Sequence, residues 1–285
     1  MRHRYGHGLM SFVALCILLP LTGCKQSSSS SNNSPAQPAA TQSIPANTPQ
    51  ELSIAAAADL RYALEDVAAE FRKAYPDLDV KITYGSSGNF FSQIVNHAPF
   101  DLFLSADASY PAKLLAQGEG AKGSAFTYAV GRIVLWAPKG SAFDPAKRKM
   151  QALLDPSLKK VAIANPDHAP YGRAAEAALK KYGIWDKLQP KLVRAANISE
   201  AATMVQSGAT DVGVIALSLA MAPQMKDAGT FFEIPPEDYP TMNQVGVILS
   251  YAKNPGGAQA FKQFLLTAAA RTILKRYGFG IPEGK

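Results

Sequence analysis

The chain has 285 residues, 47% of them hydrophobic and 18% charged, with a formal net charge of +7. Its basic residues are scattered, as in Lys147-Arg148-Lys149, Lys159-Lys160 and Lys180-Lys181, without interleaved aromatics, which argues against a nucleic-acid interface. Two cysteines, one of them inside an apolar leader, exclude a disulfide framework, so stability must come from the core.

Arg2 and Arg4 followed by an apolar run from Leu9 to Leu21 read as an export signal too short to span a membrane. The run ends in Leu21-Thr22-Gly23-Cys24, a lipobox pattern that makes 1–23 a lipoprotein signal peptide and Cys24 the lipidated N-terminus. Two or more acyl chains hold a protein firmly at a bilayer, which places it in the periplasm or at the cell surface. The leader takes two of the 29 basic residues, leaving a mature balance of +5 against 22 acidic ones. Ser, Asn, Pro, Ala and Gln dominate residues 24–50, too polar to repay the entropy of ordering. This linker gives a reach of about 25–30 Å.

From Glu51 onward strand and helix patterns alternate. Strands are predicted at Leu52–Ala56, Val80–Tyr84, Leu102–Ser105, Ile133–Ala137, Val161–Ala164, Lys191–Arg194, Val212–Ala216 and Val245–Leu249. Helices are predicted at Leu60–Tyr75, Asn89–Asn96, Tyr110–Gln117, Gly172–Tyr182, Ile198–Ser207, Leu217–Ala222, Gly257–Leu266 and Ala268–Tyr277. The order implies α/β layers with largely parallel sheets, in a chain long enough for two modest domains.

Four strand-to-helix junctions have the chemistry of an anion cradle. They are Ile54-Ala55-Ala56-Ala57-Ala58-Asp59-Leu60, the stretch from Val80 through Gly85-Ser86-Ser87-Gly88, the stretch from Val161 to Gly172 with Pro170 at a helix start, and Arg194 to Glu200 with Asn197 as N-cap. A helix start offers unpaired N–H groups and the positive end of a dipole, and small residues before it admit a ligand to the backbone. Any single junction is ordinary capping; the Ala run and the Gly85–Gly88 bracket together favour a ligand.

Other motifs are weaker. Gly118 to Gly123 matches G-x-G-x-x-G but follows a helix, so its glycines cap and turn the chain. His97 and His168 have no second metal ligand at suitable spacing. Ser87, His168 and Asp107 lack a nucleophile elbow, leaving a hydrolase as a minor alternative and the protein as a non-enzyme.

The chain resembles the periplasmic molybdate-binding proteins of ABC transporters. The likeness runs over Glu51 to Phe279, through Ile54–Leu60, Pro99–Asp107, Asn165–Pro170, Trp185–Leu188 and Lys275–Phe279. It implies a two-lobed class II binding fold, with lobe 1 from 51–129 and 236–285, lobe 2 from 130–235, and crossings near Tyr128–Gly131 and Ile234–Glu237. It also implies capture of molybdate, and tungstate as well, by a monomer that serves a permease and its ATPase, without a cofactor. The family's contact positions fall on Asp59, Ser87, Tyr171, Ile198 and Ala216. Ala58 and Ser86 belong to the same cradles, with Gly172 and Asn197 beside them.

Where the family often has serine, Asp59 stands; where it has a tyrosine, Ala216 stands. Molybdate carries no proton at neutral pH, so a bare carboxylate in contact would repel it. Asp59 is therefore expected to offer its backbone N–H and to turn its side chain back as a cap on Arg61 or Tyr62, with the Tyr171 hydroxyl replacing the missing tyrosine. An Asp59 side chain directed into the cleft would instead favour a protonated oxyanion such as phosphate or a phosphonate.

Overall fold

The computed structural model describes residues 50–282. The signal sequence, Cys24 and the linker up to residue 49 lie outside the described residues. Two five-stranded sheets, each flanked by helices, form an α/β fold of two lobes.

The first sheet has the order β2-β1-β3-β10-β4, with β1 at Gln50–Ala57, β2 at Leu78–Gly85, β3 at Leu102–Ser105, β4 at Phe126–Gly131 and β10 at Met242–Ile248. The second has the order β7-β6-β8-β5-β9, with β5 at Ile133–Pro138, β6 at Val161–Ala164, β7 at Leu192–Ala195, β8 at Val212–Ala216 and β9 at Gly229–Glu233. Only β10 in one sheet and β5 in the other run against their neighbours, so both sheets are largely parallel. The chain passes between sheets at Arg132 and returns between Glu233 and Met242.

Helix α1, Arg61–Ala74, shows how the layers are held. Its buried residues Ala63, Leu64, Val67, Ala68 and Phe71 recur on one face at helical spacing. Phe71 meets Phe261 edge-on at 4.9 Å between ring centres. Burial of such a side chain contributes about 1.5–3 kcal/mol. The helix ends at Tyr75 because Pro76 disfavours helical geometry in the residue before it.

Strands β4 and β9 were not foreseen. β9 is only partly buried and lies at a sheet edge, so it lacks the apolar run of an interior strand. Gly118, with φ at +80°, turns the chain after helix α3, Ser109–Ala116, as the glycine reading expected.

Candidate functional site

Four of the parallel strands end at one crevice. β1 runs into a 3-10 turn at Ala58–Leu60, β2 into helix α2 at Ser87–Val95, β6 toward α5 at Pro170–Lys181, and β7 into α7 at Ile198–Gln206. Each start is built by local chemistry. The Ser86 hydroxyl accepts the Asn89 N–H at 3.3 Å, Asn197 Oδ1 accepts the Glu200 N–H at 3.0 Å, and Pro170 sits where a helix needs no N–H.

First-turn N–H groups have no partner within their own helix. Those of Ala58, Ser87, Tyr171 and Ile198 find no acceptor elsewhere among the described residues either. Ser87 is fully buried, and its Oγ accepts the Ala106 N–H at 3.0 Å, which leaves the hydroxyl hydrogen free. Ala58, Asp59, Ser86, Ser87, Tyr171 and Ile198 all line one tight cavity of about 10 Å³. No Lys, Arg or His lines it.

Asp59 departs from expectation. It caps no helix. Its side chain crosses the crevice, where Oδ2 accepts the Tyr171 hydroxyl at 2.8 Å and the Gln244 side-chain amide, while Ser218 Oγ donates to its backbone carbonyl at 2.7 Å. The cap fails because two buried donors compete for the carboxyl and win it from the solvent-side turn. The second oxygen, Oδ1, is buried without any partner. Burial pushes the carboxyl up to about 6, partly offset by the hydrogen bonds from Gln244 and Tyr171. The same arrangement changes the role expected of Tyr171: its hydroxyl hydrogen goes to Asp59, which leaves the backbone N–H as its unpaired donor at the cavity.

Comparison with known proteins agrees with this architecture. Residues 52–280 match the sequence model of the family described as bacterial extracellular solute-binding protein. The chain belongs to that solute-binding family. The molybdate-binding protein ModA of Azotobacter vinelandii is 36% identical over 233 residues, spanning 81% of this chain and 90% of that protein. ModA of Rhodobacter capsulatus is 39% identical over 201 residues, 70% of this chain and 77% of its own length. The solved periplasmic molybdate-binding protein of A. vinelandii superposes with a TM-score of 0.76 at 34% identity, covering 81% of this chain and all of its own.

As in any solute-binding cleft, position decides which residues can meet a ligand. Ala216 is buried at the end of β8 opposite Ile133 and does not line the cavity. Gly172 also stands outside it, packed so tightly that a Cβ would lie 2.4 Å from the Ala164 carbonyl oxygen. Asn197 lines a neighbouring groove with Ala58 and Arg61. His168 points its Nε2 to the Ala196 carbonyl oxygen at 3.0 Å, and Ser87 meets Ala106, so no hydrogen bond joins the two. Among the described residues no group of three His, Cys, Asp or Glu is placed to hold a metal ion.

The solute-binding lobes are closed on each other. The Gly88 N–H donates to the His168 carbonyl at 2.9 Å, and Arg173 pairs with Asp107 at 2.6 Å while reaching the Tyr110 hydroxyl at 3.2 Å. Asp107 is held below the usual carboxylate range: burial raises it, but the Ser109 N–H and the Arg173 guanidinium outweigh that. Two buried residues at the crevice escaped the sequence reading. Gln244 and Tyr128 bond to each other at 2.9 Å behind Asp59. A glutamine next to the apolar run Val245 to Ile248 was the available signal, because a buried amide demands partners.

Proposed function

We propose that this chain captures molybdate, and tungstate with it, outside the cytoplasmic membrane and delivers it to an ABC permease driven by its ATPase. The protein acts as a monomer with no catalytic role, tethered through Cys24 after removal of 1–23, with 24–50 as its leash. Residues 51–129 and 236–285 form one clamp half and 130–235 the other. Ala58, Asp59, Ser86, Ser87, Tyr171 and Ile198 hold the anion.

One observation carries this reading. Backbone N–H groups from four helix starts and the free Ser87 hydrogen converge on a cavity with no cationic side chain. Such a set of donors suits a tetrahedral dianion without a proton. Each helix start contributes roughly 0.3–1 kcal/mol, more when buried, and each hydrogen bond to the charged guest about 1.5–3 kcal/mol.

A second reading is favoured by the course of Asp59. If Oδ1 is ionised it can accept a hydrogen from hydrogen phosphate or a phosphonate. Calorimetric titration with molybdate, tungstate, sulfate and phosphate separates the two. Tight binding of the first pair supports the proposal, and preference for phosphate ends it.

The Arg173–Asp107 pair is partly exposed, with side chains 37% and 29% accessible, so it acts as a modest latch. Arg173→Gln should weaken molybdate binding by about two- to fivefold, corresponding to roughly 0.5–1 kcal/mol. The difference from the parent should shrink as salt is raised from about 0.05 to about 0.5 M. Equal affinities at low salt would remove the latch from the account.

A further inference from the structure

We propose that Asp59 meets the anion as a carboxylic acid, donating a proton from Oδ1 to an anion oxygen, so that each captured dianion brings one solvent proton into the closed cleft. This rests on the reading of the cleft as a site for a proton-free oxyanion.

The geometry separates the two carboxyl oxygens. Oδ2 takes both available donors, the Tyr171 hydroxyl and the Gln244 amide, as the carbonyl oxygen of a neutral acid would. Oδ1 takes none, although the residue is only 1% exposed. An ionised oxygen buried in this way lacks the partners that charge requires. A protonated Oδ1 lacks only an acceptor, and the neighbouring cavity, into whose lining Asp59 falls, would hold four of them on a tetrahedral oxyanion. Gln244 fixes which oxygen keeps the proton. Its amide donates to Asp59 Oδ2 and to the Tyr171 oxygen at 3.1 Å, while its own oxygen accepts from Tyr128. Gln244 is thus a positioning residue that acts through Asp59.

No charged neighbour competes for the role. The groups around Asp59 are Tyr171 on α5, Tyr128 on β4, Gln244 on β10 and Ser218 on α8, Leu217–Ala220, all uncharged near neutral pH. Among charged residues on the elements packed against the Ala58–Leu60 turn, Glu65 on α1 accepts from Tyr84 and Glu200 on α7 accepts from the Ala196 N–H. Neither these nor Arg61, Arg173 or Lys81 pairs with Asp59. Burial outweighs the hydrogen bonds from Gln244 and Tyr171 and raises the free carboxyl to about 6, and a bound dianion raises it further.

The sign follows from linkage. With the acid form favoured in the complex, affinity is highest below about pH 6 and falls by up to about tenfold per pH unit above it, until the carboxyl of the complex itself ionises. The test is calorimetric titration of the full chain with sodium molybdate from about pH 6 to about pH 8.5, in paired buffers of different ionisation enthalpy, which reads proton uptake directly. The parent should take up close to one proton per molybdate near pH 7.5. Asp59→Asn, which keeps an acceptor for Tyr171 and a fixed donor toward the anion, should bind with no proton uptake and a flat pH profile. Gln244→Leu, which removes a donor that favours the ionised form, should move the onset of the decline to higher pH, an effect that mere loss of packing would not produce.

Molybdate binding by the parent without proton uptake and with constant affinity across the range overturns this inference and leaves the proposed function standing. Proton uptake that persists in Asp59→Asn assigns the proton elsewhere and overturns it too. Failure of the parent to bind molybdate at any pH overturns the proposed function itself.

Discussion

Replacing Gly88 by alanine is expected to leave both lobes folded, keep them apart, and weaken molybdate binding by about tenfold to a hundredfold. A Cβ at this position would lie 2.5 Å from the His168 carbonyl oxygen and 3.0 Å from His168 Cα, both backbone atoms of the opposite lobe. It would also lie 2.7 Å from the Tyr110 hydroxyl, a side-chain tip that can move once Arg173 releases it. The clash therefore exists only when the cleft is shut. Overpacking of this kind costs about 1–3 kcal/mol, and every 1.4 kcal/mol is tenfold in affinity. The open form bears no such penalty, since alanine is favoured over glycine in a helix by about 1 kcal/mol.

A thermal melt with and without molybdate checks the point alongside calorimetry. The unliganded midpoint should hold or rise, while the increase on adding molybdate should shrink, because ligand stabilisation grows with the logarithm of affinity. Unchanged affinity would show that the anion is held without the Gly88–His168 contact. Gly131 is constrained in a related way, since a Cβ there would lie 2.5 Å from the Tyr171 hydroxyl and 2.9 Å from the Gln244 amide. A side chain at either position would therefore press on groups that meet in the closed cleft.

Which parts of this were legible in the sequence follows from how local each signal is. Eight of the ten strands announced themselves as short apolar runs ending at small or turn residues. β9, Gly-Thr-Phe-Phe-Glu, did not, because an edge strand buries too little to need such a run. The cradles were legible because their chemistry is written within a few residues: Ser86 capping Asn89, Asn197 capping Glu200, Pro170 opening a helix. Asp59 was misread for the opposite reason. Its partners Tyr171 and Gln244 lie 112 and 185 residues away, so only tertiary packing could draw the side chain off the helix. Ala216 was a position inherited from the resemblance, and the strand that carries it ends behind the cavity wall instead of on it.

The substitution that most directly questions amide recognition is Ile198→Pro. Ile198 is the first residue of α7, a position where proline is welcome because its missing N–H has no helical duty. The residue before it, Asn197, already has extended geometry at φ −154° and ψ 174°, which suits a residue preceding proline. The helix, its Asn197 cap and the Glu200 contact should therefore survive, with a moderate packing loss from the buried isoleucine. What disappears is one unpaired N–H on the cavity wall, and ring carbon takes its place. A lost hydrogen bond to a charged partner costs about 1.5–3 kcal/mol, and the ring obstructs the oxygen as well, so molybdate affinity should fall by at least about tenfold and up to several hundredfold. Ile198→Val, which trims the side chain and keeps the N–H, should stay within about threefold of the parent. If the two variants weaken binding equally, side-chain packing and not the backbone donor holds the anion at this wall, and the helix-start account of the cleft loses one of its four supports.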